Sequence, residues 1–163
     1  MMDSHPLIIG FDGTPRSERA IREAAGLFAP RAAVVAVVWE AGRSFEAATL
    51  SVKALELPKK RADVGTAFEA ERSAFEAAQQ LADRGATLAR QAGLDAEGLA
   101  VADDAAVAET LARLAREQEA IAVVIGDRPH GDLRRLVLGS TLTGLLRRAP
   151  CPVVVCGSGA EDS

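Results

Sequence analysis

The chain has 163 residues, 48% of them hydrophobic and 26% charged, a balance that suits one soluble globular domain over residues 1–163 and excludes a disordered polymer. Its formal net charge of −4 excludes the strong basic excess that general nucleic-acid binding requires. Aromatic residues make up only 4% and tyrosine is absent, so the core has to be built from Ala, Val, Leu and Ile.

Met1 to Pro6 carries Asp3 rather than a basic leader, so no secretory signal is expected. The longest apolar stretches, such as Ala32 to Trp39, fall far short of the ~20 residues of a membrane-spanning helix. A cytoplasmic location is the expectation. Cys151 and Cys156 lie five apart in a strand-like run, which spans roughly 16 Å when extended. A disulfide needs Cα atoms within about 7 Å, so two reduced, buried thiols are expected.

Pro6 to Asp12 is a short apolar run ending in turn residues, as in a buried parallel strand. Thr14 then suits a helix N-cap and Pro15 the first helical position. Ile21, Ala24, Ala25 and Phe28 give that helix one buried stripe. Ala32 to Trp39 is the most β-prone segment. The connection that follows, about Glu40 to Gly65, is expected to be a flexible insertion.

Thr66 and Glu69 form a capping-box pattern, which predicts a helix from Thr66 to about Ala92 with Gly93 as its stop. Phe68, Phe75, Ala78, Leu81 and Leu88 mark its expected buried side. A short strand is predicted near Leu99 to Val101. A helix capped by Asp104 follows, with Val107, Leu111, Leu114 and Ala115 inward.

Ile121 to Gly126 is again a fully apolar strand, and a polar loop runs from Asp127 to Gly139. A last helix starts at Ser140 or Thr141, with Leu142, Leu145, Leu146 and Ala149 on one face. Pro152 to Cys156 is the final strand, and Gly157 to Ser163 a frayed tail. There is no repeat of fixed period. Five strands alternating with helices predict a single doubly wound α/β domain around an open parallel sheet.

Ligands of such sheets sit beyond the carboxyl ends of the strands, where strand order reverses. Gly10 to Gly13, Val37 to Trp39, and Gly126 through Thr141 end there. Gly139-Ser140-Thr141 opens a helix, so its N–H groups and hydroxyls suit phosphate; the same triplet also reads as an ordinary N-cap. Asp12 suits a ribose hydroxyl, or simply the cap of the following helix.

Familiar catalytic patterns fail. Gly126 and Gly131 have Walker A spacing, but Asp132-Leu133 replace the required Lys and Ser/Thr. No G-x-G-x-x-G follows a strand. His5 and His130 are the only histidines and neither lies near a cysteine pair, so no metal site is expected. Ser140, His130 and Asp12 make a triad only on paper, without a nucleophile elbow. No enzyme is expected, and a phosphate-transferring activity finds no general base or metal-binding carboxylate pair near the loop. Arg128, Arg134, Arg135, Arg147 and Arg148 make the last third locally basic. They read as a solvated face, or as a source of one phosphate contact, Arg128 being nearest the crevice.

Nearly the whole chain resembles the universal stress proteins. The resemblance rests on Ile8 to Thr14, Val37 to Glu40, Val123 to Arg128, Leu138 to Thr141, and the ending Ala149 to Val155. It covers residues 40–65 least. It implies a five-stranded parallel sheet in the order 3-2-1-4-5 and a homodimer paired through the last strand, Pro152 to Cys156. The ATP-binding branch of that family carries glycine, two residues, glycine, nine residues, glycine, then Ser or Thr. Gly126, Gly139 and Ser140 match that pattern, while Pro129 replaces the second glycine.

By the same resemblance, the ligand is ATP or a related adenine nucleotide. Gly10 and Asp12 would lie against the nucleoside, with Asp12 on the ribose, and the Val38 backbone on the adenine. Gly126, Arg128, Gly139, Ser140 and Thr141 would line the phosphate path. Pro129 has no N–H to offer and a φ fixed near about −65°. Two functions therefore stand side by side: a nucleotide-binding regulator of the stress response, and a nucleotide-free interaction module with an unknown protein partner.

Overall fold

The computed structural model describes residues 5–41, 62–103, 106–127 and 139–157. Five strands and, among the described residues, four helices alternate along the chain. They are β1 (Leu7–Gly10), α1 (Pro15–Phe28), β2 (Ala32–Glu40), α2 (Ala62–Gln91), β3 (Asp95–Asp103), α3 (Val107–Glu117), β4 (Ala122–Gly126), α4 (Ser140–Arg148) and β5 (Val153–Cys156). The sheet is parallel throughout, in the order β3-β2-β1-β4-β5. Strand order therefore reverses between β1 and β4.

Alternation along the strands divides the core into two layers, because successive side chains point to opposite faces. Leu7, Ile9, Val35, Val37 and Val124 pack with Ala20, Ile21, Ala24, Ala82 and Ala86 of α1 and α2. Ile8, Val34, Ala36, Val123 and Ile125 pack with Leu111, Ala115 and Leu145 of α3 and α4. None of the described helices is long and apolar enough to cross a membrane.

The first turn of α1 forms as its residues predict. Thr14 is the N-cap and its hydroxyl accepts from the Ser17 N–H at 3.3 Å, with Pro15 next in the helix. The stop of α2 is also as expected. Gly93 takes φ +109°, and the Gly93 and Leu94 N–H groups donate to the Arg90 and Ala89 carbonyls, a paired closure that uses the left-handed residue.

Several boundaries differ from expectation. Helix α2 begins at Ala62, so Thr66 lies inside it and does not cap it. Its buried stripe is Ala78, Ala82, Gly85, Ala86 and Ala89, whereas Phe68 and Phe75 remain 63% and 43% exposed. That stripe packs closely on the sheet: a Cβ at Gly85 would lie 2.7 Å from Val35 Cγ1, and one at Gly98 would lie 2.5 Å from the Ala82 carbonyl carbon. Phe68 and Phe75 lie on the N-terminal half of α2, away from that seam, and Phe75 meets Trp39, near the end of β2, edge to face at 5.8 Å.

Strand β3 runs nine residues rather than three, pairing with β2 from Asp95 to Asp103. The N-cap of α3 is Ala106, without a side-chain cap bond, and Asp104 lies outside the described residues. In α4, Gly144 and Leu145 are buried and Leu146 is 58% exposed, because Gly144 packs where a Cβ would stand 2.5 Å from Ala108 Cβ. Cys156 is buried, but Cys151 is only half-buried; both are free thiols.

Candidate functional site

A crevice of about 320 Å³ opens at the carboxyl ends of the strands, across the reversal between β1 and β4. Gly10 and Asp12, after β1, line it, and so does Val38 from β2. Gly126 closes β4, and Gly139, Ser140 and Thr141 open α4 beside it. The fold thus brings these separated positions to one place. Arg128 and Pro129 lie outside the described residues.

The crevice has two chemically distinct ends. Ala36, Val38, Val107, Leu111 and Ile125 supply apolar walls, largely from β2 and α3. Asp12, Thr14, Arg16, Ser17, Asp127, Ser140 and Thr141 supply the polar groups. Pockets for small molecules combine mostly apolar walls with a few convergent polar groups in this manner.

Strand register explains the part that Val38 plays. The Phe11 N–H donates to the Ala36 carbonyl at 2.9 Å, so the peptide groups of Ala36 point toward β1. Peptide groups two residues apart on a strand point the same way, so those of Val38 do too. β1 has ended by then at Gly10. The Val38 N–H and carbonyl therefore face the crevice, while its side chain packs toward α3.

Asp12 organises the turn into α1 and is not the N-cap itself. Its Oδ1 accepts from the Thr14 N–H at 3.0 Å and from the Thr14 hydroxyl, and Thr14 in turn caps the helix. The Ser17 hydroxyl donates to the Thr14 carbonyl at 2.9 Å. This network holds the carboxylate at the rim, exposed.

Helix α4 has Gly139 as N-cap and no side-chain cap bond. The ordinary capping role that Ser140 or Thr141 suggests is thus not taken up by either. The first N–H groups of an α-helix have no intrahelical partner, and they lie at its positive dipole end. Here that end opens into the crevice. Gly126 has a packing reason of its own. A Cβ there would stand 3.0 Å from the Arg16 carbonyl oxygen, so β4 abuts the first turn of α1.

Of the basic residues in the last third, Arg148 pairs with Glu109 of α3 at 3.0 Å on the surface, away from the crevice lining. Burial raises the pKa of both thiols, that of Cys156 to about 11 with Glu23 contributing, so neither is an activated nucleophile. Among the described residues no group of three His, Cys, Asp or Glu side chains could hold a metal ion. Residue patterns alone did not bring out Arg16, Ser17 and Asp127. The available signal was position for Asp127 alone, which directly follows β4; Arg16 and Ser17 lie inside the first turn of α1.

Comparison with known proteins gives a consistent picture. A family model described as the universal stress protein family matches residues 4–157. No curated protein matches the chain. Among solved structures, a universal stress protein from Archaeoglobus fulgidus is similar at TM-score 0.62 and 20% identity, over 93% of this chain and 97% of that one. A universal stress protein in complex with cAMP is similar at TM-score 0.62 and 22% identity, over 93% and 95%. The Archaeoglobus fulgidus protein in complex with dAMP is similar at TM-score 0.54 and 21% identity, over 94% and 98%.

Proposed function

The chain belongs to the universal stress protein family, and from that premise we propose that it is a cytoplasmic, adenine-nucleotide-binding regulator of the stress response that acts as a homodimer. It binds its ligand, ATP or a close relative, without turning it over. The observation that carries this reading is the joining of an apolar slot and an uncapped helix N-terminus in one crevice. A nucleotide needs both, one for its base and one for its phosphates.

The residues fit the group. The volume of about 320 Å³ lies at the small end of the range for ligand pockets. The base lies between Val38 and Leu111, where the Val38 peptide groups can meet its polar edge. Asp12 and Gly10 stand at the ribose. The N–H groups and hydroxyls of Ser140 and Thr141 receive the phosphates, with Gly126 and Gly139 allowing close approach, and Arg128 is assigned to the same path. The solved relatives carrying cAMP and dAMP support this class of ligand.

The dimer assignment rests on the two sheet edges. On β3, the Arg90 guanidinium donates to the Ala96 carbonyl, Gln79 bridges Gly98 and Ala100, and Arg113 donates to the Ala102 carbonyl. Side chains thus close that edge against pairing. On β5, Pro152 and Cys156 turn their carbonyls to β4, which leaves the peptide groups of Val153 and Val155 facing outward. No such side-chain cover lies on Val153 or Val155 among the described residues. An open short edge suits pairing with a second copy through residues 152–156.

The second reading, a nucleotide-free interaction module of the same fold, is favoured by Pro129. A proline at that step removes one N–H from the phosphate path. The two readings separate in one experiment. Nucleotide is sought in the denatured, purified protein, and the apo form is titrated with ATP, ADP and cAMP. Binding at micromolar concentrations is the expected result. No bound nucleotide and no affinity below the millimolar range would sink the first reading.

A further inference from the structure

We propose that Arg16, on the first turn of α1, is a phosphate-recognising cation of the crevice and contributes to its preference for phosphorylated over unphosphorylated adenosine. The inference rests on the nucleotide reading above and adds to it a residue outside the glycine pattern.

Arg16 lines the crevice and is half-buried. Its backbone carbonyl abuts Gly126, which places the residue at the β4 side of the strand reversal, with Asp127 and the start of α4. Val38 lies on β2, on the far side of β1. A ligand with its base at Val38 and its phosphates at Ser140 therefore runs toward Arg16 rather than away from it.

Charge gives the second argument. The other ionisable side chains among the described lining residues are the carboxylates of Asp12 and Asp127. A phosphate entering a crevice that carries these two carboxylates meets repulsion, which dipoles at a helix end offset only in part and a nearby cation relieves. Arg16 supplies that cation. Surface arginines elsewhere in the chain, such as Arg72 and Arg148, are spent on Glu76 and Glu109. Arg16 has no such carboxylate partner among the described residues. A guanidinium is suited to the task, since its planar fork can hold two phosphate oxygens at once.

The test is calorimetric titration of the full chain, wild type, Arg16→Gln and Arg16→Lys, with ATP, AMP and adenosine in the presence of EDTA. Arg16→Gln is expected to weaken ATP and AMP by roughly 10- to 100-fold, the range for losing a charged hydrogen-bonded contact, and to leave adenosine unchanged. Arg16→Lys is expected to recover part of the loss. Equal weakening of adenosine, or ATP binding unaffected in Arg16→Gln, would overturn the assignment. If the wild type binds none of the three ligands, the nucleotide reading itself fails, and this proposal with it.

Discussion

Gln79 offers a sharp test of how the sheet is protected at its β3 edge. Its side-chain amide uses both ends: Nε2 donates to the Gly98 carbonyl at 3.0 Å, and Oε1 accepts from the Ala100 N–H at 3.0 Å. The amide thus stands where the next strand would. Nε2 also donates to Asp83 Oδ1 at 2.9 Å. Each neutral bond contributes about 0.5–1.5 kcal/mol, and water can reach this half-buried edge, which favours the lower part of that range. Gln79→Ala should therefore cost about 1–2 kcal/mol, less a few tenths returned by the helix preference of alanine. Gln79→Glu should cost more, about 2–3 kcal/mol. It keeps the acceptor but turns a carboxylate toward the Gly98 carbonyl and toward Asp83 one helical turn on. Urea denaturation of the three proteins measures these differences, and exchange of the Ala100 amide reports the bond directly. A Gln79→Glu protein as stable as wild type would show that the Nε2 donor has no role at this edge.

Two further outcomes follow from other parts of the fold. Burial and Glu23 push the Cys156 thiol up to about 11 from its ordinary 9.0, so at pH 8 its thiolate fraction is about 100-fold below that of a free thiol. Alkylation followed by mass spectrometry should label Cys151 first and Cys156 only on unfolding; equal rates would contradict this. The sign of the stability effect is fixed as well. The contribution is fully present below pH 9 and is lost as pH rises through about 11. At the open edge, Val155→Pro removes an outward N–H while sparing the ladder to β4, so light scattering should show a monomer that keeps the native circular dichroism spectrum. Persistence of a dimer in that variant would place the interface elsewhere.

Much of this architecture was legible in short apolar runs. Ile8 and Ile9, Val34 to Val37, and Val123 to Ile125 are buried, and such strands read as continuous hydrophobic segments. Thr14-Pro15 and Gly93 marked helix ends because each carries a local mechanism. The misread parts depend on partners distant in sequence. Phe68 and Phe75 share a helix face with Ala82 and Ala89 and so looked like core, but only the later part of α2, around Gly85, packs tightly on β2 and β3. Asp95 to Gly98 has little β preference of its own, and pairs with β2 because Arg90 and Gln79 satisfy its outer edge. The crevice positions followed from where strands end. Arg16 did not, since it lies inside α1 and reaches the crevice because the first turn of that helix abuts β4 at Gly126.

In the proposed pose an adenine nucleotide lies with its base on the Val38 backbone and its phosphates on the N-terminus of α4. Amide hydrogen exchange with and without saturating ATP tests it most directly. Exchange should slow at Val38 and at Ser140 to Leu142, whose N–H groups face the ligand in that pose. Unchanged exchange at these amides, or protection confined to other segments, would contradict it.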